Sequence, residues 1–173
     1  MVKPMPLRRV LSFVSILFVA AFAPANAGAQ PAAIAIGGTV EHAGSVTLDQ
    51  LRALPATTET VFFSTGHGPV NASFTGALLW TVLTRAGVKL DPKLHNGILR
   101  KYVLVTGSDG YQALFSLGEL DPEFGGAQVI VAYEQDGKPL GADSGGLRLV
   151  VPGDKAGGRN VSKIATIVLR DGS

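Results

Sequence analysis

The chain has 173 residues, with 15 Lys and Arg against 13 Asp and Glu and no cysteine. Residues 1–29 hold three of the bases and no acid, so 15 less three leaves 12 bases against 13 acids in the remainder, and nucleic acid meets no excess positive charge. The absence of cysteine excludes disulfides and thiolate chemistry, and a domain of roughly 145 residues must hold its fold by packing alone.

Lys3, Arg8 and Arg9 precede an apolar run from Val10 to Ala23, and Ala25-Asn26-Ala27 follows as a small-x-small cleavage pattern. A run of about 14 apolar residues is short of the ~20 needed to span a bilayer core. Residues 1–29 are therefore expected to be a signal peptide, with cleavage after Ala27-Gly28-Ala29 leaving Gln30 first, and residues 30–173 one exported domain, periplasmic or secreted. Arg8-Arg9 departs from the twin-arginine pattern, lacking the preceding Ser and carrying Val10 and Leu11 behind it.

Ala33 to Val40 is apolar enough for a first strand. Thr47 is placed to cap a short helix from Leu48 to Leu54, which Pro55 stops. Thr57 to Ser64 is rich in β-branched and aromatic residues and is expected to be a strand that Gly66-His67-Gly68-Pro69 breaks. Thr75-Gly76 then opens a helix over Ala77 to Ala86, with Leu78, Leu79, Val82 and Leu83 on one face and Gly87 as its stop. Lys101 to Thr106 and Tyr111 to Phe115 form a hairpin across Gly107 to Gly110, and Gln128 to Tyr133 meets Lys138-Pro139-Leu140 across Asp136-Gly137. Leu147 to Val151 and Ile164 to Leu169 complete the strands. The pattern predicts an α+β domain of mixed or antiparallel sheets with a few short helices.

Chemistry concentrates in a few places. In Pro152 to Val161 (PGDKAGGRNV), Gly157 and Gly158 free backbone N–H groups to converge on an anion, and Lys155 and Arg159 add charge. The same loop also fits a Gly turn carrying two solvated cations. Ser64, Thr65 and His67 form a second cluster, and His67 between two glycines either lines a pocket or faces solvent. Arg148 alternates with Leu147 and Leu149, facing a cleft or water, and Tyr111 either presents its hydroxyl to a substrate or packs. Neither His42 nor His95 stands at ligand spacing to His67, so no metal site is assigned from the histidines, and no nucleophile elbow accompanies Ser64, His67 and Asp109.

The segments Phe74-Thr75-Gly76-Ala77-Leu78-Leu79, Asp109-Gly110-Tyr111, Phe115-Ser116-Leu117 with Glu119-Leu120, Ala132-Tyr133-Glu134 into Asp136 to Leu140, and Leu147 to Gly153 together resemble the molybdopterin-binding domain of the sulfite-oxidase family, from about Val46 to Leu169. The resemblance implies the sulfite-oxidase-like fold and a pterin dithiolene cofactor carrying molybdenum, used for oxygen-atom transfer. It also implies a cysteine ligand to the metal at the end of the strand before Thr75-Gly76, where this chain has Phe63 or Ser64. A Ser64 alkoxide could replace the thiolate only at a much higher pKa. Two further departures are Ser144-Gly145-Gly146, where the family often has a His, and Ser162-Lys163, where it often has Lys-Trp.

Carried over, the resemblance makes His67, Arg148, Lys155, Gly157, Gly158 and Arg159 the residues expected to bind molybdopterin, with no protein ligand to the metal and no catalytic residue assigned. It implies a molybdopterin-dependent-oxidoreductase-like protein whose redox catalysis lacks its thiolate. The alternative is a non-catalytic periplasmic binding or interaction module that keeps the fold without the metal centre. The partners that follow are a small oxyanion or pterin and a periplasmic redox or membrane protein.

Overall fold

The computed structural model describes residues 33–141 and 145–172, so the expected signal peptide of residues 1–29 and Ser144 lie outside the described residues. Two five-stranded sheets make up the domain. The first runs β2 (Gly44–Thr47), β1 (Ala33–Gly38), β10 (Ile164–Asp171), β5 (Lys101–Gly107) and β6 (Gln112–Ser116), with β1 and β10 parallel and the remaining neighbours antiparallel. The second is antiparallel, running β3 (Ala56–Thr65), β4 (Gly68–Leu78), β7 (Ile130–Gln135) and β8 (Lys138–Pro139), with β9 (Arg148–Val150) also paired to β7. Among the described residues, the short α-helices α1 (Leu48–Arg52), α2 (Leu79–Ala86) and α3 (Leu117–Leu120) lie between strands.

The predicted α+β class and most strand positions agree with this architecture, and α1 starts where expected. Thr47 accepts from the Gln50 N–H and the Gln50 side chain accepts from the Thr47 N–H, so two otherwise orphaned donors of the first turn are satisfied reciprocally. The helix expected from Ala77, however, begins only at Leu79, and the residues before it belong to an eleven-residue strand. Gly76 explains the difference. A Cβ there would lie 2.3 Å from the Val131 carbonyl oxygen, so the glycine permits two strands to approach at a register shift and does not open a helix. The Gly66-His67 pair likewise is no terminator. It is the two-residue turn of the β3–β4 hairpin, closed by the pairing of Thr65 with Gly68.

Alternation along β7 sends Val131 and Tyr133 into the main core and Ile130 and Ala132 to the opposite face of the sheet. The main core lies between the sheets and helices and includes Ile34, Leu83, Val103, Phe115, Leu149 and Ile167. The smaller cluster comprises Val61, Phe63, Ala72, Phe74, Ile130, Ala132 and Val150. Arg148, two residues before Val150 on a pleated strand, shares that second face. Phe115 is fully buried in the main core, so Phe115→Ala is expected to cost about 3–5 kcal/mol, read as a lower midpoint in urea unfolding.

Candidate functional site

Four segments meet around a cavity of about 750 Å³. The β3–β4 hairpin contributes Thr65, His67 and Val70, the β5–β6 turn Asp109 and Tyr111, β9 Arg148, and the following loop Gly157, Asn160 and Ser162. Local hydrogen bonds fix each wall. The Thr65 hydroxyl donates to the Gly68 carbonyl (2.7 Å) and accepts from the His67 N–H (3.1 Å), which closes the hairpin turn. Asp109 accepts from the Tyr111 N–H at 3.0 Å, shaping the second turn.

The loop from Val151 to Val161 is tied down along its length. The Ser64 N–H donates to the Lys155 carbonyl, the Tyr111 hydroxyl donates to the Gly158 carbonyl, and the Leu149 N–H donates to the Val161 carbonyl. A Cβ at Gly157 would stand 2.8 Å from the ring of Phe63, which is fully buried and has no room to yield, so the loop packs directly on that ring. Within the loop, the side-chain Oδ1 of the buried Asn160 accepts from the Val151 N–H at 2.7 Å.

Two polar groups in this otherwise satisfied arrangement are left open. Arg148 Nε and Asn160 Nδ2 are buried and donate to no partner among the described residues, and both side chains line the cavity. The Arg148 guanidinium sits over Phe63 and Phe74, 5.8 Å from each ring centroid, and makes no ion pair among the described residues. Burial pushes its pKa below the ordinary arginine value, yet a guanidinium stays protonated in proteins. Arg148, partly exposed, and Asn160, buried, line the same cavity, and each keeps one covered N–H donor without a partner among the described residues, which favours a ligand that brings anionic oxygens.

The residues picked out in the sequence divide accordingly. His67, Arg148 and Gly157 line the cavity, and Gly158 contributes its carbonyl to the Tyr111 hydroxyl. Lys155 is exposed and outside the lining, its backbone carbonyl holding β3. Arg159 turns away from the cavity. It donates to both carboxylate oxygens of Asp154 (2.9 and 2.7 Å) and to Glu119 (2.8 Å), with its guanidinium 5.2 Å from the Phe115 ring centroid. Those hydrogen bonds, Asp154 first, raise its pKa further. Arg159 thus anchors the loop to α3, with its donors directed at carboxylates of its own chain. Because these groups are a fifth to two-fifths exposed, Arg159→Met is expected to cost only ~1 kcal/mol in urea unfolding, with the far-UV circular dichroism unchanged.

Asn160 was not singled out in the sequence. An Asn in a Gly-rich loop carries no periodicity, and its importance shows only once its carbonyl is seen bonded to Val151 and its amide left open. Ser64 is exposed, and on a pleated strand it faces away from its cavity-lining neighbour Thr65.

The family model for the oxidoreductase molybdopterin binding domain matches residues 23–173. The chain belongs to that family. This molybdopterin-binding domain is 37% identical over 117 residues to the mitochondrial sulfite oxidase of Drosophila melanogaster, covering 62% of the chain and 18% of that protein. It is 32% identical over 164 residues to the NADH nitrate reductase of Ulva prolifera, covering 80% of the chain and again 18% of the relative. The chain thus spans less than a fifth of the length of these curated relatives. Its fold is similar to that of the sulfane dehydrogenase SoxCD from Paracoccus pantotrophus, with a TM-score of 0.68 at 24% identity over 83% of this chain and 39% of that one.

Proposed function

We propose that the domain holds the anionic part of a pterin cofactor in the cavity between β9, the β3–β4 hairpin and the 151–161 loop. The observation that carries this is that Arg148 and Asn160, each with a covered N–H donor unpartnered among the described residues, line one cavity in a chain of the molybdopterin-binding family. Arg148 supplies a fixed charge and several N–H donors in a planar fork, geometry suited to two oxygens of one phosphate. Asn160 adds a neutral donor whose position is set by its own bond to Val151. Phe63 and Phe74 support the guanidinium from behind, while His67 and Tyr111 stand nearer the exposed rim.

The metal half of the cofactor fits less well. The family resemblance calls for a thiolate at the end of β3, and the chain offers a buried phenyl ring at Phe63 and an outward-facing hydroxyl at Ser64. This mismatch favours the second reading, a binding module without redox catalysis, over an oxidoreductase. Export to the periplasm or medium, proposed from Lys3, Arg8, Arg9 and the apolar run behind them, belongs to either reading.

The test is to produce the chain in a host that makes molybdenum cofactor, denature and oxidise it, and quantify the released pterin by fluorescence. Pterin approaching one per chain is expected from the wild type, with at least tenfold less from Arg148→Gln. Equal pterin in both, or none in the wild type, would contradict the proposal.

A further inference from the structure

We infer that the groove between α2, residues 88–98 and residues 121–124 docks a partner protein through a segment that carries apolar side chains and a lysine or arginine. The groove has a volume of about 740 Å³ and shares no lining residue with the cavity described above. Trp80 and Val88, then Leu90, Leu94 and Ile98, and finally Phe124 supply its apolar surface. That surface runs out beyond the groove. Leu90, Leu94 and Phe124 in the lining, and Leu99 beside Ile98, are between 43% and 49% exposed. A small molecule filling the groove would leave this apolar rim in water, whereas a protein segment covers both.

The groove is shaped before any partner arrives. On one wall the Leu94 N–H donates to the Asp91 carbonyl (3.0 Å) and the Gly97 N–H to the Leu94 carbonyl (3.2 Å). On the other the Phe124 N–H donates to the Asp121 carbonyl (3.0 Å) and the Glu123 N–H to Asp121 Oδ1 (2.9 Å). Each wall is a turn closed on itself, so docking orders little of this chain.

Charge selects the partner. The charged lining residues are Asp91, Asp121 and Glu123, with Thr84 and Asn96 neutral and no Lys or Arg. Asp121 is only 6% exposed, and none of the three carboxylates makes an ion pair among the described residues. Lys93 and His95 belong to the 88–98 segment but stand outside the lining. Lys89, Arg100 and Lys101 line an adjoining hollow that shares Asp91, and there Lys101 is paired with Asp171. The acidic character of the groove therefore rests chiefly on Asp121 and Glu123, which that hollow lacks. An ammonium or guanidinium entering the groove gains from these carboxylates and from the ring faces of Trp80 and Phe124, while an acidic segment meets like charge.

The test selects a displayed library of random twelve-residue, tryptophan-free peptides on the full-length protein. Binding of the recovered peptides, resynthesised, is read through the fluorescence of Trp80, the single tryptophan of the chain. Peptides that combine Leu, Met or Phe with Lys or Arg are expected, each changing the Trp80 emission and binding more weakly as salt is added. Replacing their bases with Gln should weaken binding at least tenfold, as should Glu123→Lys or Phe124→Ser in the protein. Glu123 and Phe124 are exposed, and circular dichroism checks that both variants fold. Recovered peptides that are uncharged or acidic, or that bind both variants as tightly as wild type, would overturn the inference, as would a selection that recovers none. Sedimentation showing that the chain pairs with itself until Phe124→Ser separates it would assign the groove to a second copy and overturn it equally.

Discussion

Arg148→Met is expected to remove anion binding and to raise the melting temperature of the ligand-free domain. Each charge-assisted hydrogen bond is worth about 1.5–3 kcal/mol, so losing even one weakens binding roughly 10- to 150-fold. Stability moves the other way because the ligand-free protein buries part of a cation that makes no ion pair among the described residues. Methionine follows the same path over Phe63 and Phe74 without that penalty, and a gain of ~1 kcal/mol corresponds to about 2–4 °C at this size. The sign with pH follows from the direction of the shift. A base whose folded pKa lies below its unfolded value costs stability wherever it is charged in the fold, and the cost is relieved only as pH rises through the folded pKa. An arginine stays charged throughout pH 5–9, so the Met variant's advantage in scanning calorimetry should be constant across that range. A melting temperature lowered by the substitution would show that Arg148 is a structural residue.

Asn160→Asp is expected to weaken binding about a hundredfold or more at neutral pH. The substitution keeps an oxygen to accept from the Val151 N–H, so the loop retains its internal tie. It replaces the open amide donor with a carboxylate oxygen facing the same cavity, adding like-charge repulsion to the lost hydrogen bond, each worth on the order of 1–3 kcal/mol. Burial raises the pKa of such a carboxyl, so part of the lost affinity should return as the pH is lowered and the group protonates into a donor. Phosphate titrations at pH 5 and pH 7.5 check both parts. Affinity equal to wild type at pH 7.5 would remove Asn160 from the site.

The contrast between Arg148 and Arg159 shows what the sequence could carry. Arg159, in a Gly-Gly-Arg loop, has the stronger local signature of an anion ligand, and Arg148 lies in an apolar strand. Their roles are decided by groups distant in sequence: Glu119, forty residues from Arg159, captures one guanidinium, while Phe63 and Phe74 lie beneath the other, which makes no ion pair among the described residues. Strand alternation left Arg148 facing either a cleft or water, and only the packing of β9 on β7 selects the face it shares with Phe63.

The fold was legible where its determinants are local. The Thr47 capping box, the Asp136-Gly137 turn, where both residues have positive φ, and the Gly107 to Gly110 turn each stand within a few residues of the structure they cause. The strand β4 was hidden because its two glycines suggested the opposite. In the sequence Gly68 reads as part of a break, yet it resumes a hairpin, and Gly76 reads as a helix opening, yet it makes room for the Val131 carbonyl, a contact 55 residues away. The absence of cysteine, by contrast, is visible in the sequence at once, and at the end of β3 the structure has the buried Phe63 and the exposed Ser64.

The most direct measurement is a nuclear magnetic resonance titration of metal-free protein with inorganic phosphate, following the side-chain signals of Arg148 Nε–H and Asn160 Nδ2–H₂. Both are predicted to shift downfield together along one saturation curve, while the Arg159 Nε–H, held by Asp154, stays in place. Unmoved Arg148 and Asn160 signals, with phosphate-dependent shifts confined to Lys155 or Arg159, would contradict the account.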